Sequence, residues 1–184
     1  TLPPSAPTRA RDFFLPSRIL PFALAPQPAL GQKRPMSKLY FSYAAMNAGK
    51  STILLQASHN YVERGMRTLL FTSALYAEDG IGLITSRLAI SAEAELYDDT
   101  TDLFSYVKDE LDTSKVDCVL IDEAQFLTDE QVWQLARVAD RLKVPVMCFG
   151  LRTDFPGKLF PRSASLLAIA EPVLPAYQSV AMYL

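Results

Sequence analysis

The segment AAMNAGKST, residues 44–52, constrains this chain more than any other part of its sequence. It follows a short β-prone run, opens a helical stretch, and fits the spacing G-x-x-x-x-G-K-[ST] with Ala44 in place of the first glycine. In such a loop successive backbone N–H groups form an anion site at the positive end of a helix, and Gly49 lets the backbone approach a phosphate. We expect Lys50 to reach the β- and γ-phosphates of a nucleotide and Ser51 to ligate Mg²⁺. The predicted phosphate-binding residues are Met46, Asn47, Ala48, Gly49, Lys50, Ser51 and Thr52.

A chance Gly-Lys-Ser at a helix start is the alternative, but a second motif argues against it. Residues 119–123, VLIDE, form an apolar strand that ends in two acids. If this strand ends beside the phosphate loop, Asp122 can hold Mg²⁺ through water, and Glu123 is free to act as a general base on a hydroxyl or water. The alternative is that these two acids are solvent-exposed residues at the end of a strand and have no catalytic role. The two motifs together predict ATP with Mg²⁺ and transfer of the γ-phosphoryl group, and they leave the acceptor open.

The surrounding pattern predicts an α/β fold. Near-continuous apolar runs alternate with helical stretches, which implies parallel strands joined by right-handed crossovers. Thr128 with Gln131 predicts a capping box that opens a helix, and Gly65 follows the end of another. Residues 74–115 give the weakest signal. The predicted strands are 38–43, 67–73, 116–121 and 144–149, and the predicted helices cover about 50–64, 102–111 and 129–139.

The charge and composition of the chain exclude some classes of partner. The net charge is −2, so there is no broad basic field for nucleic acid. No run of 18 or more apolar residues occurs, so we expect no membrane span. Cys118 and Cys148 each lie in an apolar run as free, buried thiols would, which fits a cytoplasmic protein. Residues 1–35 hold most of the chain's 13 prolines and are expected to be a disordered extension or a mis-assigned start; a targeting segment is the alternative.

Four segments in order resemble the bacterial thymidine kinases of the cellular type: 46–51 (MNAGKS), 60–68 (NYVERGMRT), 122–127 (DEAQFL) and 150–155 (GLRTDF). The likeness covers about residues 38–172, within an expected domain of residues 36–172 with a P-loop NTPase fold and a RecA-like parallel sheet flanked by helices. It implies transfer of the ATP γ-phosphate to the 5′-hydroxyl of thymidine, a nucleotide salvage step for DNA synthesis, with Glu123 as the catalytic base. It also implies a nucleoside pocket lined by Met46, Phe126, Leu151, Phe155 and Phe160, whose apolar walls suit a planar base.

The chain also departs from that family's pattern. The family's Asp-Arg pair for magnesium and phosphate aligns with residues 77–78 (AE); Asp79 is a shifted substitute and Arg87 a weaker phosphate candidate. Pro156 stands where the family often has arginine. No cysteine follows Cys148, so we expect no zinc, and residues 173–184 are expected to be a divergent tail in place of the family's zinc and lasso segment.

These departures leave alternatives to an active kinase. Without the lasso, which holds the base through main-chain atoms in the family, the chain could be an ATP-binding fragment with little or no kinase activity. Residues 122–125 (DEAQ) also resemble a helicase box, but the chain is short and weakly charged for a helicase. The family assembles as homo-oligomers. Because the tail of this chain departs from the family pattern, its own assembly is left open. His59, the single histidine, is interpreted as a solvated helical residue.

Overall fold

A computed structural model of the protein describes residues 37–175 apart from residues 47, 78–80, 155 and 172. The expectations for residues 1–36 and 176–184, and for Asn47, Asp79 and Phe155, lie outside the described residues. Eight strands are present there: β1 (Leu39–Ala44), β2 (Thr68–Ser73), β3 (Leu83–Thr85), β4 (Ser91–Glu93), β5 (Glu95–Tyr97), β6 (Cys118–Ile121), β7 (Val146–Leu151) and β8 (Val173–Pro175). The α-helices are α1 (Lys50–Glu63), α2 (Leu103–Thr113), α3 (Asp129–Arg137) and α4 (Pro161–Ile169), and a π-helical turn, Val138–Leu142, continues α3.

Six strands form one parallel sheet in the order β5-β2-β6-β7-β1-β8, and β3 and β4 form a separate antiparallel hairpin. The register aligns Leu39 of β1 with Val146 of β7, and Leu70 of β2 with Leu120 of β6. This confirms the predicted α/β class with its parallel sheet. β7 lies between β1, which precedes the phosphate loop, and β6, which leads into Asp122, so the two motif strands are next-nearest neighbours.

Helices cover both faces of the sheet, as the sequence of β6 requires. All four β6 residues are buried. Val119 and Ile121 pack into the cluster that includes residues of α2, α3 and α4, whereas Cys118 and Leu120 pack into the cluster that includes Leu54 of α1. The predicted strand, buried on both faces, is therefore confirmed.

The caps and helix ends also follow the sequence. The Thr128 hydroxyl accepts the N–H of Gln131 at 3.2 Å, and Gln131 Oε1 accepts the N–H of Thr128 at 2.9 Å, which confirms the capping box. Gly65 has φ 70°, the left-handed conformation expected after α1. His59 is exposed on α1 and lies 3.3 Å from Glu63, as expected of a solvated helical residue.

The structure adds elements that the sequence pattern did not predict. Within residues 74–115 only α2 was anticipated; the β3–β4 hairpin and the edge strand β5 were not.

Cys118 and Cys148 are buried and free, as predicted. No helix in the described part of the chain is long and apolar enough to span a membrane.

Candidate active site

The phosphate loop connects β1 to the first residue of α1. Gly49 is the N-cap of α1 and has φ 78°, a left-handed conformation that favours glycine. The turn is closed by a bond from the Ala48 N–H to the Ala45 carbonyl at 3.3 Å. No side chain among the described residues caps α1, so its first-turn N–H groups point into the loop without a side-chain acceptor. The geometry is that of an anion site at a helix N-terminus.

Lys50 is folded over this loop. Its side chain is buried, and Nζ donates to the Ala45 carbonyl at 3.3 Å. Burial lowers the pKa of Lys50, and the nearby carboxylates of Glu123 and Asp122 act in the opposite direction. A lysine in this position supplies a positive charge next to the anion site.

Asp122 joins the second motif to the first. Its Oδ2 accepts the Ser51 hydroxyl at 2.8 Å across 71 residues of sequence, and its Oδ1 accepts the Glu123 N–H at 3.0 Å. The side chain is 4% exposed. Burial, and next the neighbouring Glu123 carboxylate, raise the pKa of Asp122 from 3.8 to about 6, although the Ser51 hydroxyl, the Glu123 N–H and Lys50 oppose the shift. Asp122 is therefore a buried carboxylate that a cation at the same place would stabilise.

Glu123 has an unusual backbone and two supports. It adopts φ 54° and ψ 37°, a left-handed conformation that is uncommon for residues other than glycine. The Tyr97 hydroxyl donates to the Glu123 carbonyl at 2.8 Å, and Gln125 Nε2 donates to the Glu123 carboxylate. A strained residue held by its surroundings is typical of active sites.

An open cavity of about 270 Å³ brings the motif residues together at the carboxyl edge of the sheet. The sequence did not predict the hairpin that closes one side of the cavity, except for Arg87, and it did not predict Gln125 as a lining residue. Thr85 and Ser86 carry no motif signal, and only their position beside Arg87 could have suggested them. The cavity is lined by Met46, Gly49, Lys50, Ser51, Thr52, Thr85, Ser86, Arg87, Glu123, Gln125 and Leu151.

Only some of the residues predicted to form the nucleoside pocket line this cavity. Met46, which is 70% exposed, and the buried Leu151 line it. Phe126 and Phe160 pack edge-on with ring centroids 6.4 Å apart, and within the described residues neither lines this cavity. Phe155 lies outside the described residues, so the predicted pocket stays a prediction.

The donor set at Asp122 and Ser51 fits a magnesium ion. Both side chains offer oxygen, which Mg²⁺ prefers, and the buried carboxylate is already turned toward the hydroxyl. Mg²⁺ beside nucleotide phosphates commonly takes only one or two protein ligands. A group of three or more His, Cys, Asp or Glu side chains able to hold a metal does not occur within the described residues.

Comparison with known proteins shows the family of the chain. The thymidine kinase family model matches residues 37–182. The thymidine kinase of Mesorhizobium japonicum is 61% identical over 136 residues, which cover 74% of this chain and 67% of that protein. The thymidine kinase of Ruegeria pomeroyi is 60% identical over 136 residues, 74% of this chain and 69% of that protein. The thymidine kinase of Yersinia pestis is 52% identical over 139 residues, 76% of this chain and 71% of that protein.

Proposed function

This chain belongs to the thymidine kinase family, and from that premise we propose that it transfers the γ-phosphoryl group of ATP to the 5′-hydroxyl of thymidine. The observation that carries the proposal is the hydrogen bond between Ser51 and Asp122. It joins the two motifs at one cavity, with Glu123 at the cavity wall. A phosphate site and a carboxylate base within one cleft are the parts that γ-phosphoryl transfer to a hydroxyl needs.

In the proposed reaction Glu123 accepts the proton of the thymidine 5′-hydroxyl. The hydroxyl oxygen forms a bond to the γ-phosphorus as the bond between the γ-phosphorus and the bridging oxygen breaks, which yields thymidine monophosphate and ADP. Lys50 and the N–H groups at the start of α1 stabilise the negative charge that spreads over the β- and γ-phosphates.

Two further sets of residues complete the proposed site. Ser51 and Asp122 would hold Mg²⁺, which supplies positive charge to the phosphates when it is bound. The cavity residues Met46 and Leu151 would contact the nucleoside. Phe126 and Phe160 would join them if the aromatic pair extends the apolar wall toward the base. We place the activity in the cytoplasm, where ATP is available and where Cys118 and Cys148 would stay reduced.

The test is to measure phosphate transfer from γ-labelled ATP to thymidine together with ATP hydrolysis. Glu123→Gln keeps the size of the side chain and removes the base, so we expect transfer to fall by about 10²- to 10⁴-fold while Mg-ATP still binds. Lys50→Ala removes the charge at the phosphates and should abolish Mg-ATP binding in calorimetry. Lys108→Ala, an exposed lysine on α2, is the matched control and should leave both properties unchanged.

Two results would contradict the proposal. Transfer at the wild-type rate by Glu123→Gln removes Glu123 as the base. ATP hydrolysis by the wild type without any phosphorylation of thymidine would make water the acceptor and the chain an ATPase.

A further inference from the structure

The carboxylate of Glu123 is held by the side chain of Gln125. We propose that Gln125 is a positioning residue that aims Glu123 at the acceptor hydroxyl. Its Nε2 donates to Glu123 Oε2, and its Oε1 accepts the N–H of Leu151 at 2.9 Å. One carboxamide thus bridges the loop after β6 and the last residue of β7. The inference rests on the proposed role of Glu123 as the base.

The chemistry of the bridge fixes which end of the carboxamide faces Glu123. The Leu151 N–H can only donate, so it requires the oxygen of Gln125, and the amino group then faces the carboxylate. Rotating the amide by 180° would set its amino group against the Leu151 N–H and its oxygen against the carboxylate, which replaces both hydrogen bonds by repulsive contacts. Gln125 therefore has one orientation that satisfies both partners.

The backbone of β7 holds the carboxamide in place. Gln125 is 1% exposed. A Cβ atom on Gly150 would lie 3.0 Å from Gln125 Oε1 and 3.2 Å from the Gln125 backbone nitrogen, which is closer than ordinary contact. The glycine lets the side chain lie against the strand, so the bridge is tightly packed and the Glu123 carboxylate has a rigid partner.

The hydrogen bond leaves one oxygen of the base for the substrate. Because Gln125 is bound at Oε2, Oε1 of Glu123 is the oxygen available to take the hydroxyl proton. A glutamate side chain that is free to rotate would spend only part of its time in reach of that proton. A reacting group misplaced by about 1 Å can lower the rate by about 100-fold.

The chain offers a matched control for this role. Gln134 is also a buried glutamine whose Oε1 accepts a buried backbone N–H, from Leu103 at 2.8 Å, but it lies on α3 and is not part of the cavity lining described above. Gln125→Met and Gln134→Met each remove one carboxamide at nearly constant side-chain length. Both variants should lower the urea midpoint of unfolding because each leaves a backbone N–H unpaired.

Only Gln125→Met should change the catalytic rate. We expect kcat for thymidine phosphorylation to fall by about 10- to 100-fold, with Mg-ATP affinity within about threefold of the wild type. Gln134→Met should keep the wild-type kcat. If Gln125 instead contacts the nucleotide, the Mg-ATP affinity will fall while kcat holds, and that result would overturn the proposal.

A double-mutant cycle separates positioning from a structural effect. In a Glu123→Gln background the bridge has no base to aim, so adding Gln125→Met should cause no further loss of kcat. An equal loss of kcat in both backgrounds would show that Gln125 acts on something other than Glu123. If Gln125→Met fails to fold, Gln125→Asn replaces it, because the shorter carboxamide keeps the polar chemistry of the side chain but cannot span both the Leu151 N–H and the Glu123 carboxylate.

Crystal structures of the wild type and of the Gln125 variant give a result that needs no activity. The Glu123 carboxylate should leave its wild-type position in the variant, and an unchanged carboxylate would overturn the inference. A wild-type protein that phosphorylates no thymidine would defeat the proposed function alone, and the crystal comparison would still decide whether Gln125 positions Glu123.

Discussion

At the scale of single residues, Asp122 shows how the site is built at the expense of stability. Its carboxylate is buried, and its pKa is raised from 3.8 to about 6 by burial and by Glu123. Because this pKa is raised, Asp122 keeps its proton in the folded protein but loses it in the unfolded chain at pH values between about 3.8 and about 6. The contribution of Asp122 to stability is therefore fully present below about pH 3.8 and is lost as the pH rises to about 6.

Replacing Asp122 by asparagine should remove this loss. Asparagine can accept the Glu123 N–H and donate to Ser51, so the hydrogen bonds of the site can persist. The stability of Asp122→Asn relative to the wild type, measured by urea unfolding without magnesium, should rise by about 2–3 kcal/mol between pH 4 and pH 7. Taking the difference between the two proteins cancels the other titrating groups. A difference that is independent of pH would contradict the raised pKa.

At the scale of elements, the edge strand β5 supports a residue of the neighbouring motif. It carries Tyr97, which is 1% exposed and donates to the Glu123 carbonyl at 2.8 Å, with the Asp122 carbonyl at 3.3 Å. Burial raises the pKa of Tyr97 well above its ordinary value, so the hydroxyl keeps the proton that it donates. The strand thereby helps to hold the left-handed backbone of Glu123.

Tyr97→Phe should remove the hydroxyl hydrogen bonds to this backbone with little change in side-chain volume. The variant removes the hydroxyl donor shared by the Asp122 and Glu123 carbonyls, and the Glu123 carbonyl keeps the Phe126 N–H at 3.0 Å, so we expect a loss of about 0.5–1.5 kcal/mol in the free energy of unfolding. We also expect a several-fold loss of kcat, because the Glu123 backbone can relax from its uncommon conformation. Tyr106→Phe is the control: Tyr106 lies on α2, its hydroxyl is beside Glu95 of β5, and its loss should not change kcat. If both variants retain the wild-type kcat, Tyr97 serves stability only.

The strands that the sequence predicted differ in kind from the short strands that it missed within residues 74–115. The strand ending at Ile121 is apolar throughout because both of its faces are buried, and such a run is readable without neighbours. Strands β3, β4 and β5 have three residues each and are partly exposed, which is too short for a period-2 pattern to emerge.

The same contrast applies within the site. Lys50, Ser51, Asp122 and Glu123 were predicted because their chemistry depends on local spacing, and the cavity indeed gathers their motifs. Tyr97 and the bridge from Gln125 to Leu151 were not predicted. Their hydrogen bonds join residues about 26 positions apart, and such contacts depend on which strands become neighbours in the sheet. The role of each predicted residue in the reaction is still a proposal.

At the scale of the whole molecule, the two sides of the sheet have unequal cores. The larger cluster includes buried residues of α2, α3 and α4, among them Leu135 and Leu166. The smaller cluster includes Leu54 and Leu55 of α1, with Ile84 of the hairpin. The phosphate loop opens directly into α1, so the proposed nucleotide site borders the more lightly covered side of the fold.

Two neighbouring leucines on β2 allow the two clusters to be compared by mutation. Leu69 packs in the larger cluster and Leu70 in the smaller one, and they are 6% and 7% exposed. Substitution of either by alanine should lower the free energy of unfolding by about 2–5 kcal/mol, since a buried leucine leaves a cavity. We expect the larger loss for Leu69→Ala, because its cluster includes side chains of three helices, and a more heavily covered core has less freedom to close on a cavity. The cluster of Leu70 includes Ile84 of the hairpin, whose neighbours Leu83 and Thr85 are exposed, so this side can shift inward at a smaller penalty. Urea unfolding of the two variants at one pH makes the comparison, and a greater loss for Leu70→Ala would mean that the α1 side is the more rigid half of the molecule.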